Sequence, residues 1–195
     1  MNYTMRSSVL AILVASFGGI ASAESLTFKE VRKILPKGSR VVAELPDTSF
    51  LDEKQQAIVL SLKDTIPFYG ALALTADEGL FVDWLSASGQ HHSLDAARTA
   101  ALDYCNANRK AESAGCVVVL EVSPKGHDAD AILSLSADAT DTFRKEYRKL
   151  GSPKAFAISK SQGTFGFAGG DGARALDACA KAGEGASDCT VVVAD

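Results

Sequence analysis

Three histidines are the first side chains to consider for chemistry, because imidazole binds metals and transfers protons near neutral pH. His91 and His92 are adjacent, Asp95 follows one helical turn later, and His127 directly precedes Asp128. These groups could in principle combine into a metal site or an acid–base pair. Both segments are polar, however, which predicts exposed loops rather than a formed site. We therefore expect no catalytic residue, no metal and no cofactor. A hydrolase or metal-dependent enzyme using these loops is the alternative hypothesis.

The four cysteines have a spacing that argues against metal binding and redox chemistry. Ten residues separate Cys105 from Cys116, and nine separate Cys179 from Cys189. Zinc-binding cysteines usually stand about two to four residues apart, and a thioredoxin-like site needs a Cys-x-x-Cys motif. Disulfides are therefore expected, and the spacing alone leaves more than one pairing of the four cysteines open.

An internal repeat selects one of these pairings. Four residues recur 84 positions later: Ala71, Ala73, Gly79 and Phe81 match Ala155, Ala157, Gly163 and Phe165. Four others recur 74 positions later: Ala101, Leu102, Asp103 and Cys105 match Ala175, Leu176, Asp177 and Cys179. Spacing conserved on both sides of one gap predicts duplication of a β-hairpin–helix–strand unit that is too small to have its own core. The repeat pairs Cys105 with Cys116 and Cys179 with Cys189.

The gap between the two offsets lies in the loop that precedes the first helix of the repeat. This loop is longer in the first copy, and it carries His91 and His92, with Trp84 just before it. Trp84 is the only tryptophan, and such a residue is more often part of a core or its rim than a ligand platform. Because binding functions are often carried by loops, a ligand loop in this protein is expected at Trp84, His91 and His92.

The elements that position these residues follow from the hydrophobic pattern. Periodicity of 3.6 predicts helices at residues 26–35 and 50–65 and helices beginning at Ser93, Ala137 and Asp171. Strands are expected at residues 39–45, 69–75, 80–85, 116–122, 129–135, 154–159, 164–168 and 189–194. The predicted fold class is α+β, with two pseudo-repeated β-hairpin–helix–strand units that carry disulfides and follow N-terminal helices.

The first 23 residues are typical of a secretory signal peptide. Arg6 supplies a charged start, residues 9–20 are mainly apolar, and small residues at Ala21 and Ala23 mark a cleavage site before Glu24. The apolar run is shorter than the roughly 18 residues of a spanning helix, which disfavours an uncleaved anchor. We predict a signal peptide at 1–23, an N-terminal helical segment at 24–66, repeat unit 1 at 67–128, and a linker helix with repeat unit 2 at 129–195.

The net charge limits the class of partner, and the cysteine content indicates the compartment. The formal net charge of −4, without a large basic patch, argues against nucleic acid. Paired cysteines are typical of an oxidising compartment, so a periplasmic or secreted protein with no membrane span after cleavage is expected. The expected function is that of an exported envelope protein, a non-enzymatic binding or interaction module with an unknown protein or small-molecule partner.

A family pattern is visible in residues 154–195. It consists of an Ala-x-Ala strand, a Gly-aromatic strand, an alanine-rich helix ending in cysteine, and a cysteine before a valine strand. It is carried by Ala155-Phe156-Ala157-Ile158-Ser159, Gly163-Thr164-Phe165-Gly166-Phe167, Ala175-Leu176-x-x-Cys179 and Asp188-Cys189-x-Val191-Val192-Val193. This stretch resembles a small secreted bacterial domain catalogued as domain of unknown function 4189. Residues 69–122 match more loosely, since Asp83 and Trp84 replace the second aromatic residue and its small neighbour. The resemblance implies export and a disulfide-linked α+β module, and it implies no reaction.

Overall fold

The computed structural model describes residues 25–195, so the predicted signal peptide at 1–23 lies outside the described residues. The helices are α1 (Phe28–Ile34), α2 (Glu53–Ser61), α3 (Leu94–Asn108), α4 (Ala137–Lys145) and α5 (Gly172–Ala182). The strands are β1 (Val41–Glu44), β2 (Gly70–Leu74), β3 (Ala87–Ser88), β4 (Val117–Pro124), β5 (Lys154–Ser159), β6 (Phe165–Gly169) and β7 (Cys189–Ala194). Within residues 25–195, no helix is both long and apolar enough to cross a membrane.

Side-chain caps start four of the helices where the sequence supplies a hydroxyl or a carboxylate. Thr27 and Asp52 each form a capping box, with Glu30 and Gln55 respectively. At the starts of α3 and α4, the hydroxyls of Ser93 and Ser136 accept a backbone N–H from the third residue on. Each cap satisfies amides that have no partner inside the helix. The start predicted for α3 is therefore confirmed.

The strands form two antiparallel sheets with a similar strand order. The first sheet has the order β1-β4-β2-β3, and the second has the order β6-β5-β7. In the first sheet β2 lies between its return strand, β3, and the strand that follows α3, β4. In the second sheet β5 lies between its return strand, β6, and the strand that follows α5, β7. The register with that later strand shifts between Leu72 and Ala73 in the first sheet and between Phe156 and Ala157 in the second, two places that are 84 residues apart. An α+β fold with two antiparallel sheets is therefore confirmed.

One disulfide in each unit links the helix to the next strand. Cys105 pairs with Cys116, and Cys179 pairs with Cys189, with Cα–Cα distances of 6.1 and 6.2 Å. The pairing predicted from the repeat is therefore confirmed, and none of the cysteines is free.

Small residues face one side of each central strand. Ala71 and Ala73 of β2 pack against α3, and Ala155 and Ala157 of β5 pack against α5. Side chains of this size let the helix lie close to the sheet. The opposite faces carry the large apolar side chains Leu72 and Leu74 in β2 and Phe156 and Ile158 in β5.

Residues 25–66 contribute to both sheets. Leu26 forms a parallel bridge to Val193 of β7, and the ring of Phe28 in α1 lies 5.1 Å from that of Phe143 in α4. β1 instead pairs with β4 at the edge of the first sheet, while α2 covers the large-residue face of that sheet. The N-terminal segment therefore contains a strand as well as helices, and it holds the two units together.

The predicted strand at residues 80–85 does not form. The carboxylates of Asp77 and Glu78 accept backbone N–H groups from Ala114 and Lys110, at 2.5 and 2.9 Å. These hydrogen bonds draw the chain from the sheet edge towards the loop after α3. The chain returns only at β3, which pairs with Ala71 and Leu72 of β2. The first hairpin thus has a short return strand that begins at Ala87 and not at Leu80 as expected.

This change separates two aromatic residues that match in sequence. Phe165 lies in β6, where its ring stacks on Phe156 with a centroid distance of 5.5 Å. Phe81 lies in the irregular segment and is 78 % exposed. Gly79 and Gly163, in contrast, have nearly equal left-handed φ values of 70° and 71°, as a shared turn requires.

The predicted strand at residues 129–135 is also absent from the described chain. The carboxylate of Asp128 accepts the N–H of Asp130 at 3.1 Å, which turns the backbone at the start of this stretch. Leu133 and Leu135 then enter the core formed with α1 and α4. Side-chain packing rather than strand pairing holds this stretch in place. Its alternation of buried and exposed residues resembles the sequence pattern of a strand, which explains the wrong prediction.

Candidate functional site

The loop between β3 and α3 is buried, which corrects the expectation of an exposed polar loop. His91 is 7 % exposed and His92 is 3 % exposed. The backbone of His91 exchanges hydrogen bonds with Tyr69, at 3.1 and 3.3 Å, and so extends β2. The turn between β5 and β6 covers this loop so closely that a Cβ atom on Gly163 would lie 2.4 Å from the carbonyl oxygen of Gln90. The polar residues therefore form a contact between the two units.

His92 connects three segments of the fold. Its Nδ1 accepts the backbone N–H of Ser136 at the start of α4, at 3.0 Å, and its Nε2 lies 3.0 Å from the carbonyl oxygen of Thr164. Since Nδ1 accepts and a carbonyl can only accept, Nε2 carries the proton and the ring is neutral. Burial lowers the pKa of His92, against a smaller opposing effect of the Thr164 carbonyl. His92 therefore has a structural role between the units.

His91 contacts Ser88 but lacks the third group of a nucleophilic site. The Oγ of Ser88 lies 2.5 Å from Nε2 of His91, and burial lowers the pKa of that ring. Nδ1 is buried and has no partner in the described chain. A catalytic histidine needs a third group that orients its ring through the second nitrogen, and none of the described residues offers such a group to Nδ1. Ser88 and His91 therefore do not form a complete pair of nucleophile and base.

His127 and Trp84 lie elsewhere and do not complete a site with these residues. Nδ1 of His127 lies 3.0 Å from the hydroxyl of Tyr69. Burial raises the pKa of Tyr69 to about 12, so its phenol is protonated. Trp84 is half-buried and packs on the cluster beneath α3. Within residues 25–195, no three His, Cys, Asp or Glu side chains are grouped as a metal would require.

The neutral state of His92 predicts loss of stability in mild acid. Because its pKa is lower in the folded than in the unfolded chain, unfolding takes up a proton once the pH falls below the ordinary histidine value of about 6.5. His91 acts in the same direction. Stability is complete above that pH, and each ring contributes a decline of at most about 1.4 kcal/mol per pH unit below it.

Urea denaturation at pH 7.5, 6.0 and 5.0 measures this decline. The variant His92→Gln is expected to be less stable at pH 7.5, since two buried hydrogen bonds change, and to show a shallower decline between pH 6.0 and 5.0. An unchanged slope in this variant would contradict the role of His92.

A cleft lies where the first sheet meets α4. It is formed by residues 37–41 before and within β1, by residues 63–68 before β2, and by residues 137–145 of α4. It has two lobes, with volumes of about 710 and 350 Å³, that share Ser39, Phe68 and Ala137 in their walls. Phe68 is buried and supplies an apolar floor. A ligand in one lobe would therefore adjoin the other.

Cationic side chains dominate the charge of the cleft. Arg40 and Lys63 line the larger lobe together with Asp64. Lys37, Arg144 and Lys145 line the smaller lobe together with Asp138 and Asp141. Lys145 is paired with Asp141 at 2.8 Å, whereas the other four cations have no ion-pair partner among the described residues. Each lobe thus keeps two unpaired cations and one unpaired acid, a net charge of +1.

The segments that form the cleft are anchored to one another. The guanidinium of Arg144 donates to the carbonyl oxygens of Leu35 and Pro36, which fixes the loop before β1 on α4. The first amide of α4, that of Ala137, donates to the carbonyl oxygen of Phe68 at 2.9 Å. The walls are therefore preformed, as in most small-ligand sites.

Sequence reasoning did not find the cleft. Its three segments are separated by more than twenty residues at each step, and none carries a recognisable motif. The basic run that begins at Arg144 indicates only a solvated helix face when it is considered alone. The proximity of Lys37, Arg40 and Lys63 depends on the contact of β1 with the turn before β2 and on the bonds from α4 to the loop before β1. No local sequence pattern encodes these contacts.

Comparison of the chain with protein-family models, with curated proteins and with solved structures found no match in any of the three.

Proposed function

We propose that this chain is an exported, non-enzymatic module that binds a ligand of the cell envelope in the cleft between the first sheet and α4. The observation that carries the proposal is the pair of adjoining lobes with four unpaired cations around an apolar floor at Phe68. Pockets that combine an apolar wall with a few convergent polar groups are typical ligand sites.

The roles of the histidines support binding rather than catalysis. His92 is used to join the units, and His127 is used in a contact with Tyr69. The pair Ser88–His91 lacks an acceptor for the Nδ1 proton. The alternative of a hydrolase or a metal-dependent enzyme at these loops therefore has less support than a binding function.

Export to the periplasm or the medium is part of the proposal. It is supported by the signal-peptide pattern of residues 1–23, by two disulfides of the kind that persist in oxidising compartments, and by the resemblance to domain of unknown function 4189. The mature chain is expected to begin at Glu24.

Internal duplication is proposed as the origin of the two units. Equal strand order, equal disulfide position and a register shift at places 84 residues apart support it. In this view the first unit later acquired the longer segment between β2 and β3, and the cleft formed beside only that unit.

A variant that fills the cleft tests the proposed function. Ser39 is exposed and lies in the walls of both lobes, so Ser39→Trp is expected to block them without disturbing the core. The wild-type protein, Ser39→Trp and the control Ser187→Trp, whose site is exposed and lies outside the cleft, are each incubated with an envelope extract and washed. Mass spectrometry then compares the small molecules and peptides that each protein retains.

A ligand retained by the wild type and by Ser187→Trp, and reduced at least about tenfold with Ser39→Trp, is the expected result, since a blocked pocket loses most of its binding energy. Equal retention by all three proteins would refute the cleft as the binding site.

A further inference from the structure

The two lobes of the cleft have the same balance of charge, and this constrains the ligand. In the larger lobe Arg40 and Lys63 oppose Asp64, and in the smaller lobe Lys37 and Arg144 oppose Asp138. The whole chain has a formal net charge of −4, so this positive cleft runs against the charge of the protein. Unpaired cations of this kind attract anions, and low-dielectric walls focus their field.

We infer that the cleft binds an extended polycarboxylate, with one carboxylate in each lobe and an apolar part of its chain on Phe68; this inference rests on the proposed binding function. Each lobe has a net charge of +1, which matches the single charge of a carboxylate. A phosphate monoester carries about −1.5 to −2 near neutral pH and would exceed the charge of one lobe. An acidic peptide and a small dicarboxylate share the required chemistry.

The shape of the cleft distinguishes these two sources. A small dicarboxylate holds its two charges only a few bonds apart, whereas an extended peptide spans about 3.3 to 3.6 Å per residue and can reach both lobes. Affinity is therefore expected to rise with length up to the span of the two lobes. The guanidinium of Arg144 is already oriented by its bonds to Leu35 and Pro36, so less side-chain freedom is lost when a carboxylate binds there.

Isothermal titration of defined probes tests the inference. The probes are glutamate, which is a small dicarboxylate, the acidic peptide tetraglutamate, and tetraglutamine, which has the same backbone with uncharged side chains. Tetraglutamate is expected to bind at least about tenfold more tightly than either glutamate or tetraglutamine, because two lobes with favourable ion pairs contribute together. Its affinity is expected to fall as the salt concentration rises, since exposed charges are screened.

Two variants of equal charge separate the cleft from the general field of the protein. The triple variant K37Q/R40Q/K63Q removes unpaired cations of the cleft, and the control K29Q/K54Q/R148Q removes three exposed cations outside it. The cleft variant is expected to bind tetraglutamate about tenfold more weakly, whereas the control variant keeps wild-type affinity. Equal melting temperatures of the two variants show that both are folded.

The inference is overturned if tetraglutamate does not bind, if tetraglutamine binds equally well, or if both triple variants lose the same affinity. Tighter binding of glutamate than of tetraglutamate assigns the site to a small dicarboxylate and overturns the inference of an extended ligand. The proposed function has a separate test: a ligand whose retention depends on Ser39 keeps the cleft as a binding site even when every acidic probe fails.

Discussion

Replacement of Cys179 and Cys189 together by alanine is expected to lower the free energy of unfolding by about 3 kcal/mol. The disulfide closes a loop with a sequence separation of only 10 residues, and in the chain-entropy account it restricts the unfolded chain by this amount. For a chain of this length the melting temperature should fall by about 6 to 12 °C. Removal of Cys105 and Cys116, with a separation of 11 residues, is expected to have a similar effect.

Thermal unfolding with and without a reducing agent measures these effects and supplies the control. Reductant should lower the melting temperature of the wild-type protein to near that of a variant without either disulfide, and it should leave that variant unchanged. Alanine is the appropriate replacement because Cys105 and Cys179 are buried against alanine-rich strands, where a serine hydroxyl would have no partner. A wild-type protein whose stability is indifferent to reductant would contradict a stabilising role.

The second large effect is expected from Gly166→Ala in β6. A Cβ atom at this position would lie 2.2 Å from the backbone nitrogen of Cys179 and 2.6 Å from the carbonyl oxygen of Ala175. These are backbone atoms of α5, so the helix itself would have to move away from the sheet. Overpacking typically lowers the free energy of unfolding by about 1 to 3 kcal/mol. Because the clash here is with backbone atoms, we expect a loss of about 3 kcal/mol.

Gly169→Ala is the matched control, because it lies in the same strand and a Cβ atom there would meet no atom within 4 Å. It is expected to change stability by less than about 0.5 kcal/mol. Urea denaturation of both variants makes the comparison. Equal losses would mean that strand conformation, rather than the contact with α5, requires glycine in β6.

The sequence predicts those features that depend on neighbouring residues or on the repeat. The start of α3 at Ser93 and the strand bounds of β5 and β7 follow from local chemistry. The disulfide pairing follows from the repeat. The strand expected at residues 80–85 was wrong because Asp77 and Glu78 bond to a loop more than thirty residues away.

Burial of His91 and His92 could not be predicted from their neighbours. A run of polar residues indicates exposure only when nothing else packs on it, and here the turn at Gly163 and Thr164 covers the loop. Once buried, His92 finds a donor at Ser136 and an acceptor at Thr164, which turns an apparent reactive group into a link between units.

The sequence by itself determined the α+β class, the two disulfides and the bounds of β5 and β7. These properties depend on the spacing of residues along the chain, which can be read directly from the sequence. Only the tertiary structure decided that His91 and His92 are buried. It also decided that Lys37, Arg40, Lys63 and Arg144 surround one cleft. The physical reason is that burial and charge density depend on distances between segments far apart in the chain, and those distances exist only after β1, α4 and the two sheets have packed.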